Sequence, residues 1–109
     1  MPKTTIELLQ EAVPVFSALA DDNRLLILKI LKDEGRLNVN ALTEKLHLSR
    51  PAVSHHLKLM LAAGLVGVEQ VGKERYYLVT LENAGRHFQH LMAAFIADGC
   101  LDSALPADV

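Results

Sequence analysis

One segment decides the fold: residues 49–64, which read SRPAVSHHLKLMLAAG. Ser49 is a strong N-cap, and Pro51 falls in the first helical turn, where its missing N–H costs little. The apolar residues that follow recur at helical spacing and predict a buried stripe: Val53, Leu57, Met60 and Leu61. Gly64 is a typical C-terminal stop. The segment therefore predicts a helix that begins near residue 50 and ends near Ala63.

The neighbouring segments complete a motif around this helix. A brief helix is expected over residues 40–46, and the two residues before Ser49 leave room only for a turn. After Gly64 the pattern becomes extended, turns at Gly72-Lys73, and returns over residues 75–80, which predicts a β-hairpin. Two helices joined by a tight turn and followed by a hairpin form a helix-turn-helix with a wing. We place the helix-turn-helix at about 40–63 and the wing at about 65–80.

Two helices are expected before this motif. Thr4 and Glu7 form a capping box that begins a helix of about 4–19, which Pro14 interrupts, so we expect a kink or two segments. The next helix begins at Asp21-Asp22 and ends at Gly35. Its middle is so apolar, from Leu25 to Leu31, that burial on several sides is predicted.

The last helix is expected over about 82–97, followed by a frayed tail after Gly99. A short strand could also form at residues 36–39. The chain is thus predicted to be mainly α with a small β-hairpin, about five helices in all. At 109 residues we expect one winged helix-turn-helix domain over residues 1–109.

Composition excludes several classes of protein. The single cysteine excludes an intrachain disulfide and a CxxC zinc site. The polar start of the chain resembles no signal peptide, and no apolar run reaches the ~20 residues of a membrane span, so a cytoplasmic protein without a membrane partner is expected. No nucleophile–base pair, acid/base carboxylate pair or phosphate-binding glycine loop is visible, and an enzyme is not predicted.

The function is predicted by the polar face of the helix expected over residues 50–63. If the stripe lies inward, Arg50, Ser54, His55 and Lys58 lie outward, with Ser49 and Pro51 at the helix start and His56 at the side. These residues include donors of the kinds that contact phosphates and base edges, and an α-helix fits the major groove of DNA. Lys73 and Arg75 at the hairpin tip suit a phosphate backbone or a minor groove. The same surface could instead bind a protein partner, since winged helices also serve as interaction modules.

Local charge favours DNA, although the whole chain carries 11 basic and 13 acidic residues and a net charge of −2. Residues 35–77 hold six basic and three acidic side chains, a balance of +3, and the remainder holds five basic and ten acidic, a balance of −5. Binding depends on the field at the interface rather than on the total. We therefore expect a basic helix-turn-helix and wing on an acidic body.

Three motifs, the last of them in two stretches, resemble the ArsR/SmtB family of bacterial metal- and stress-responsive repressors. Ala18–Leu28 (ALADDNRLLIL) is similar to the family's second-helix motif, and Ser49–Leu57 to its recognition helix. Ala63–Val66 and Gly72–Tyr77 are similar to its helix end and wing. The resemblance covers about residues 16–81.

The resemblance implies a homodimer that represses a palindromic double-stranded DNA operator and releases it on an unidentified signal. The first and last helices would form the dimer through their apolar stripes, made of Ile6, Leu9, Val13, Phe88, Leu91 and Phe95. Alternatively these stripes only close the core of a single chain.

The family's known metal sites are not matched. Asn38 and Asn40 stand where the arsenic-type site has two thiolates, which carboxamides cannot replace. Leu81, Asn83, Ala94 and Ala97 stand at the positions of the zinc-type site, and none of them resembles its acid and histidine ligands.

Two weaker sensing sites remain as alternatives. His87 and His90 share one face of the last helix and could bind Zn or Ni with a carboxylate from Glu82 or Asp98 across a dimer, although a solvated polar face has the same spacing. Cys100 could respond to redox state through a disulfide across a dimer, although a passive free thiol is the simpler interpretation.

Overall fold

The computed structural model describes residues 2–102, which form six helices and one two-stranded antiparallel hairpin. The elements follow in the order α1 (Thr5–Glu11), α2 (Val13–Leu19), α3 (Asp22–Glu34), α4 (Val39–Glu44), α5 (Arg50–Ala62), β1 (Val66–Val71), β2 (Glu74–Val79) and α6 (Glu82–Ala97). The predicted winged helix-turn-helix is confirmed. The helix count rises from about five to six because the helix near Pro14 forms two segments. Residues 103–109 of the expected frayed tail lie outside the described part.

Side-chain caps determine where the helices begin. Thr4 and Glu7 form the predicted capping box at α1, and Pro14 lies in the first turn of α2. Asp21 caps α3 by accepting the Arg24 N–H at 3.1 Å. Ser49 caps α5 by accepting the Ala52 N–H at 3.3 Å. These local hydrogen bonds satisfy donors that the helix itself leaves unpaired.

The hydrophobic core surrounds α5. From that helix Val53, Leu57 and Met60 are fully buried, and they pack in one cluster with side chains from α2, α3, α4 and the first strand. The largest of those partners are Ile27, Leu31, Leu42 and Val15, and Leu65, which directly precedes β1, is fully buried in the same cluster. Burial of three consecutive turns fixes which face of α5 points outward.

Two burial predictions are wrong. Leu61 is 39% exposed, because the core takes Met60 from that turn and successive helix positions lie 100° apart. On α3, Leu25 and Leu26 are 46% and 43% exposed, and only Ile27 and Leu31 are buried. Helix α3 therefore buries one face rather than several.

The hairpin is joined to the start of α4. Strands β1 and β2 pair from Val66 with Val79 to Val71 with Glu74, and Gly72 has the positive φ of 62° that the turn requires. The predicted short strand is reduced to one bridge, in which Leu37 and Tyr77 exchange backbone hydrogen bonds of 3.1 and 2.8 Å. The wing is thus anchored next to the helix-turn-helix.

Helices α1 and α6 pack against each other, and we call this pair the arm. Leu91 of α6 is buried, as is Ala12 between α1 and α2, and Thr5 of α1 donates a hydrogen bond to Asp98 just after α6. The chain is elongated, with extents of 48 × 33 × 24 Å and a radius of gyration of 16.3 Å, against about 13 Å for a compact domain of this size. Among residues 2–102, no helix combines the length and apolarity needed to cross a bilayer.

Only some residues of the predicted apolar stripes are exposed on the surface. Leu91 is 4% exposed and belongs to the interior of the single chain, so its place in a dimer stripe is not supported. Leu9, Phe88 and Phe95 are half-buried. The apolar residues that remain exposed on α1, α2 and α6 are Ile6, Val13, Phe16, Met92 and Ile96.

Candidate DNA interface

Helix α5 presents a polar face to solvent. Because Val53, Leu57 and Met60 face the core, the side chains of the opposite face are exposed, as predicted: Ser49, Arg50, Pro51, Ser54, His55 and Lys58. Most of them carry hydrogen-bond donors, and two are cationic. The arrangement can present donors to phosphates and to base edges over the first two turns of a helix.

The tip of the wing lies beside this face. Lys73 and Arg75 are both exposed, and the Arg75 guanidinium lies 5.9 Å from the centre of the Tyr77 ring. A cleft of about 390 Å³ separates the wing from α5, and Arg50, Ser54, Lys73 and Arg75 are among the residues that line it. The structure therefore joins the two groups of cations that the sequence predicted separately.

Asn38 and Asn40 also line this cleft, but they were not predicted from the sequence to belong to the interface. Asn38 caps α4 by accepting the Ala41 N–H at 2.8 Å, and its Nδ2 donates to Glu74 at 3.3 Å. Asn40 accepts a hydrogen bond of 2.8 Å from Nε of Arg50. Helix capping is visible in sequence, but the contacts with Glu74 and Arg50 join different elements and have no local pattern.

His56 differs from the other predicted interface residues. It is half-buried, and its Nδ1 lies 3.2 Å from Nη1 of Arg24. Because a guanidinium can only donate, Nδ1 must accept, which leaves the proton of the neutral ring on Nε2. His56 therefore contacts α3 with one side of its ring, and only the Nε2–H can reach a phosphate.

Arg24 links three helices at this junction. It donates from Nε to the Ala18 carbonyl at 2.7 Å and from Nη2 to the Ser17 carbonyl at 3.2 Å, at the end of α2. Asp21 lies 3.9 Å from its guanidinium. The Arg24 backbone N–H lowers the pKa of the Asp21 carboxyl below its ordinary value, and the Arg24 charge acts in the same direction. The junction holds α5 against α2 and α3.

The candidate sensing residues lie elsewhere. His87 and His90 line a groove of about 470 Å³ between α1 and α6, together with Lys3, Glu11 and Arg86. Among residues 2–102 no three His, Cys, Asp or Glu side chains come together as a metal site would require. Glu82 and Asp98 do not line this groove of the single chain, and they were predicted to assist only across a dimer.

Cys100 is an exposed thiol just beyond α6. Its N–H donates to the Phe95 carbonyl at 2.9 Å, so the backbone there still follows the end of the helix. Nothing in the described residues pairs the thiol with another sulfur.

Known proteins resemble this chain in the segment that contains α4 and α5. A model of the family described as "Bacterial regulatory protein, arsR family" matches residues 21–68, from α3 to the start of β1. The chain is 39% identical over 77 residues to the arsenical resistance operon repressor of Bacillus subtilis, covering 71% of this chain and 73% of that protein. It is 35% identical over 91 residues to the HTH-type transcriptional repressor SmtB of Mycobacterium tuberculosis, covering 84% and 64%.

A solved structure supports the fold. An ArsR-like transcriptional regulator from Rhodococcus sp. RHA1 superposes with a TM-score of 0.65 at 30% identity, over 83% of this chain and 80% of that one.

Proposed function

The chain belongs to the arsR family of bacterial regulatory proteins, whose members include transcriptional repressors, and from this we propose that it is a homodimer that represses transcription at a palindromic operator. The observation that carries the proposal is the outward face of α5: from Arg50 to Lys58 its exposed side chains are polar apart from Pro51, and they lie beside the cations of the wing. Helix α5 would enter the major groove, and the wing would contact the backbone or an adjacent minor groove.

Charge supports this orientation. The net charge of residues 35–77 is +3, and that of the remainder is −5. The acidic excess lies before and after this segment, with a balance of −2 over residues 1–34 and −3 over residues 78–109, so it would repel a duplex that approached from the arm. Affinity should therefore depend strongly on salt, because most of the attraction comes from cations displaced from phosphates.

The arm supports a dimer. On the arm Ile6 is 62% exposed and Met92 50%, and Val13 at the adjoining start of α2 is 55% exposed, although each is a large apolar side chain. An apolar surface of this kind at the end of an elongated chain suits a two-fold interface, in which the same patch occurs on both subunits. Two α5 helices related by a two-fold axis would read two inverted half-sites about one helical turn of DNA apart.

The proposal is tested by selecting, from a randomised library, the DNA duplexes that the protein binds. The chain is incubated with a library of duplexes randomised over about 30 base pairs, and bound duplexes are amplified and sequenced. We expect an inverted repeat whose half-sites have centres roughly 10 base pairs apart. If no sequence is enriched above the starting library, the chain is not an operator-binding repressor, and the protein-interaction alternative gains support.

Lys73→Ala with Arg75→Ala is expected to weaken binding to all duplexes alike. Because these side chains would each neutralise a phosphate, the slope of log affinity against log salt should flatten by roughly one for each cation removed. Fluorescence anisotropy between about 50 and 300 mM salt measures this slope. A matched control removes two cations from the outer face of α3, Lys29 and Lys32, and should keep the wild-type slope. An unchanged slope in the wing variant would exclude phosphate contacts there.

A further inference from the structure

We propose that Asn40 is a positioning residue for DNA binding: its carboxamide holds the Arg50 guanidinium at the mouth of the cleft between α5 and the wing. This inference rests on the proposed function and adds to it a residue of α4 that acts through Arg50. Asn40 itself is not required to contact DNA.

The geometry of the contact determines which part of Arg50 remains available. Oδ1 of Asn40 accepts from Nε at 2.8 Å, and within residues 2–102 this is the only hydrogen bond or ion pair of the Arg50 side chain. The two Nη atoms are therefore unoccupied by protein. They form the end-on edge of the guanidinium, which can donate two parallel hydrogen bonds to a phosphate or to the O6 and N7 of guanine.

Anchoring matters because Arg50 is exposed and lies at the start of α5. A long, exposed arginine loses many rotamers when it is immobilised on a partner, and that loss weakens binding. A hydrogen bond at Nε already restricts the guanidinium before DNA arrives. Preorganisation of this kind improves affinity without adding an interaction with the ligand.

The anchor itself is held on both sides. Asn38 caps α4 and also donates to Glu74 at the start of β2. Leu37 exchanges two backbone hydrogen bonds with Tyr77. The beginning of α4 is thus bound to the wing while Asn40 is bound to α5, so one short helix sets the position of the reading helix relative to the wing.

The cleft shows the chemistry that this arrangement would serve. Its lining brings the cations Arg50, Lys73 and Arg75 together with the Ser54 hydroxyl in a space of about 390 Å³. Glu74 is the one carboxylate among the lining residues, and the Asn38 amide occupies one of its oxygens. The cleft therefore favours an anionic group of the duplex backbone next to the anchored guanidinium.

A double-mutant cycle on the duplex enriched by the wild-type chain tests the inference. Asn40→Ala should lower affinity about tenfold, as expected when one long side chain per subunit must be ordered on binding. Arg50→Ala should lower it further, and adding Asn40→Ala to Arg50→Ala should change affinity by less than about twofold, because the anchor then has nothing to hold. Asn83→Ala is the matched control, since it removes another contact of asparagine with arginine, that with Arg86 on α6.

A second measurement needs no DNA. In the wild-type chain the Nε–H signal of Arg50, assigned by its disappearance in Arg50→Lys, should be protected from exchange with water, and Asn40→Ala should remove that protection. An unprotected signal in the wild type overturns the inference. The inference is also overturned if Asn40→Ala binds with wild-type affinity, or if Asn40→Ala lowers affinity equally in the wild-type chain and in the Arg50→Ala chain. Either result leaves the proposed function standing. A wild-type chain that enriches no duplex overturns both.

Discussion

Replacing Arg50 and His55 together by alanine is expected to lower the affinity for the enriched duplex by a factor of about 100 or more. Both side chains are exposed near the start of α5, where a recognition helix contacts base edges. Each good interaction with a base contributes about 1–3 kcal/mol of discrimination, and a dimer makes every such interaction twice. Affinity for unrelated duplexes should fall much less, because Lys58, Lys73 and Arg75 remain.

Fluorescence anisotropy on the enriched duplex and on a scrambled duplex measures both affinities, and thermal unfolding checks the fold. Arg86→Ala with His90→Ala is a matched control, because it removes the same two residue types from α6. It should keep wild-type affinity. A folded Arg50→Ala/His55→Ala chain that still binds the enriched duplex like the wild type would show that α5 does not read the operator.

Introducing aspartate at both Met92 and Ile96 is expected to convert the proposed dimer to a monomer. These side chains are 50% and 39% exposed on α6, in the apolar surface of the arm. At a two-fold interface each charge occurs twice and would be buried without a partner, which costs several kcal/mol. The dissociation constant of the dimer should rise by about a hundredfold or more.

Sedimentation velocity over a range of concentrations measures this change. DNA affinity should fall with it, since two half-sites are no longer bound as one unit. Leu25→Asp with Leu26→Asp is the matched control, because these leucines are comparably exposed on the outer face of α3. A Met92→Asp/Ile96→Asp chain that sediments as the wild-type dimer would exclude the arm as the interface, and a monomeric wild type would exclude the dimer.

Local patterns in the sequence predicted the elements that form the interface. The caps at Thr4 and Ser49 are formed as predicted, α3 begins at the predicted Asp21-Asp22, and α6 spans the predicted residues Glu82–Ala97. Caps and hydrophobic period act within a few residues of each other, so the sequence alone contains the information. The exposed face of α5 followed from the same period.

Contacts between distant residues could not be predicted in the same way. Whether Met60 or Leu61 is buried depends on the space left between α5 and its neighbours α2, α3 and β1. The helical spacing of apolar residues does not distinguish the two. The hydrogen bonds of Arg24 with His56 and of Asn40 with Arg50 join different helices. They follow from the packing of the whole domain, and sequence analysis therefore gave His56 and Asn40 no such partners.

The claim that this chain binds DNA through α5 and the wing is decided by chemical-shift mapping. The enriched duplex is titrated into the isotopically labelled protein, and the backbone amide shifts are mapped onto the structure. We expect the largest changes at residues 49–58 and 73–75, with α3 and its exposed leucines nearly unaffected. Changes confined to α3 or to the arm, or no changes at a duplex excess, would contradict the claim.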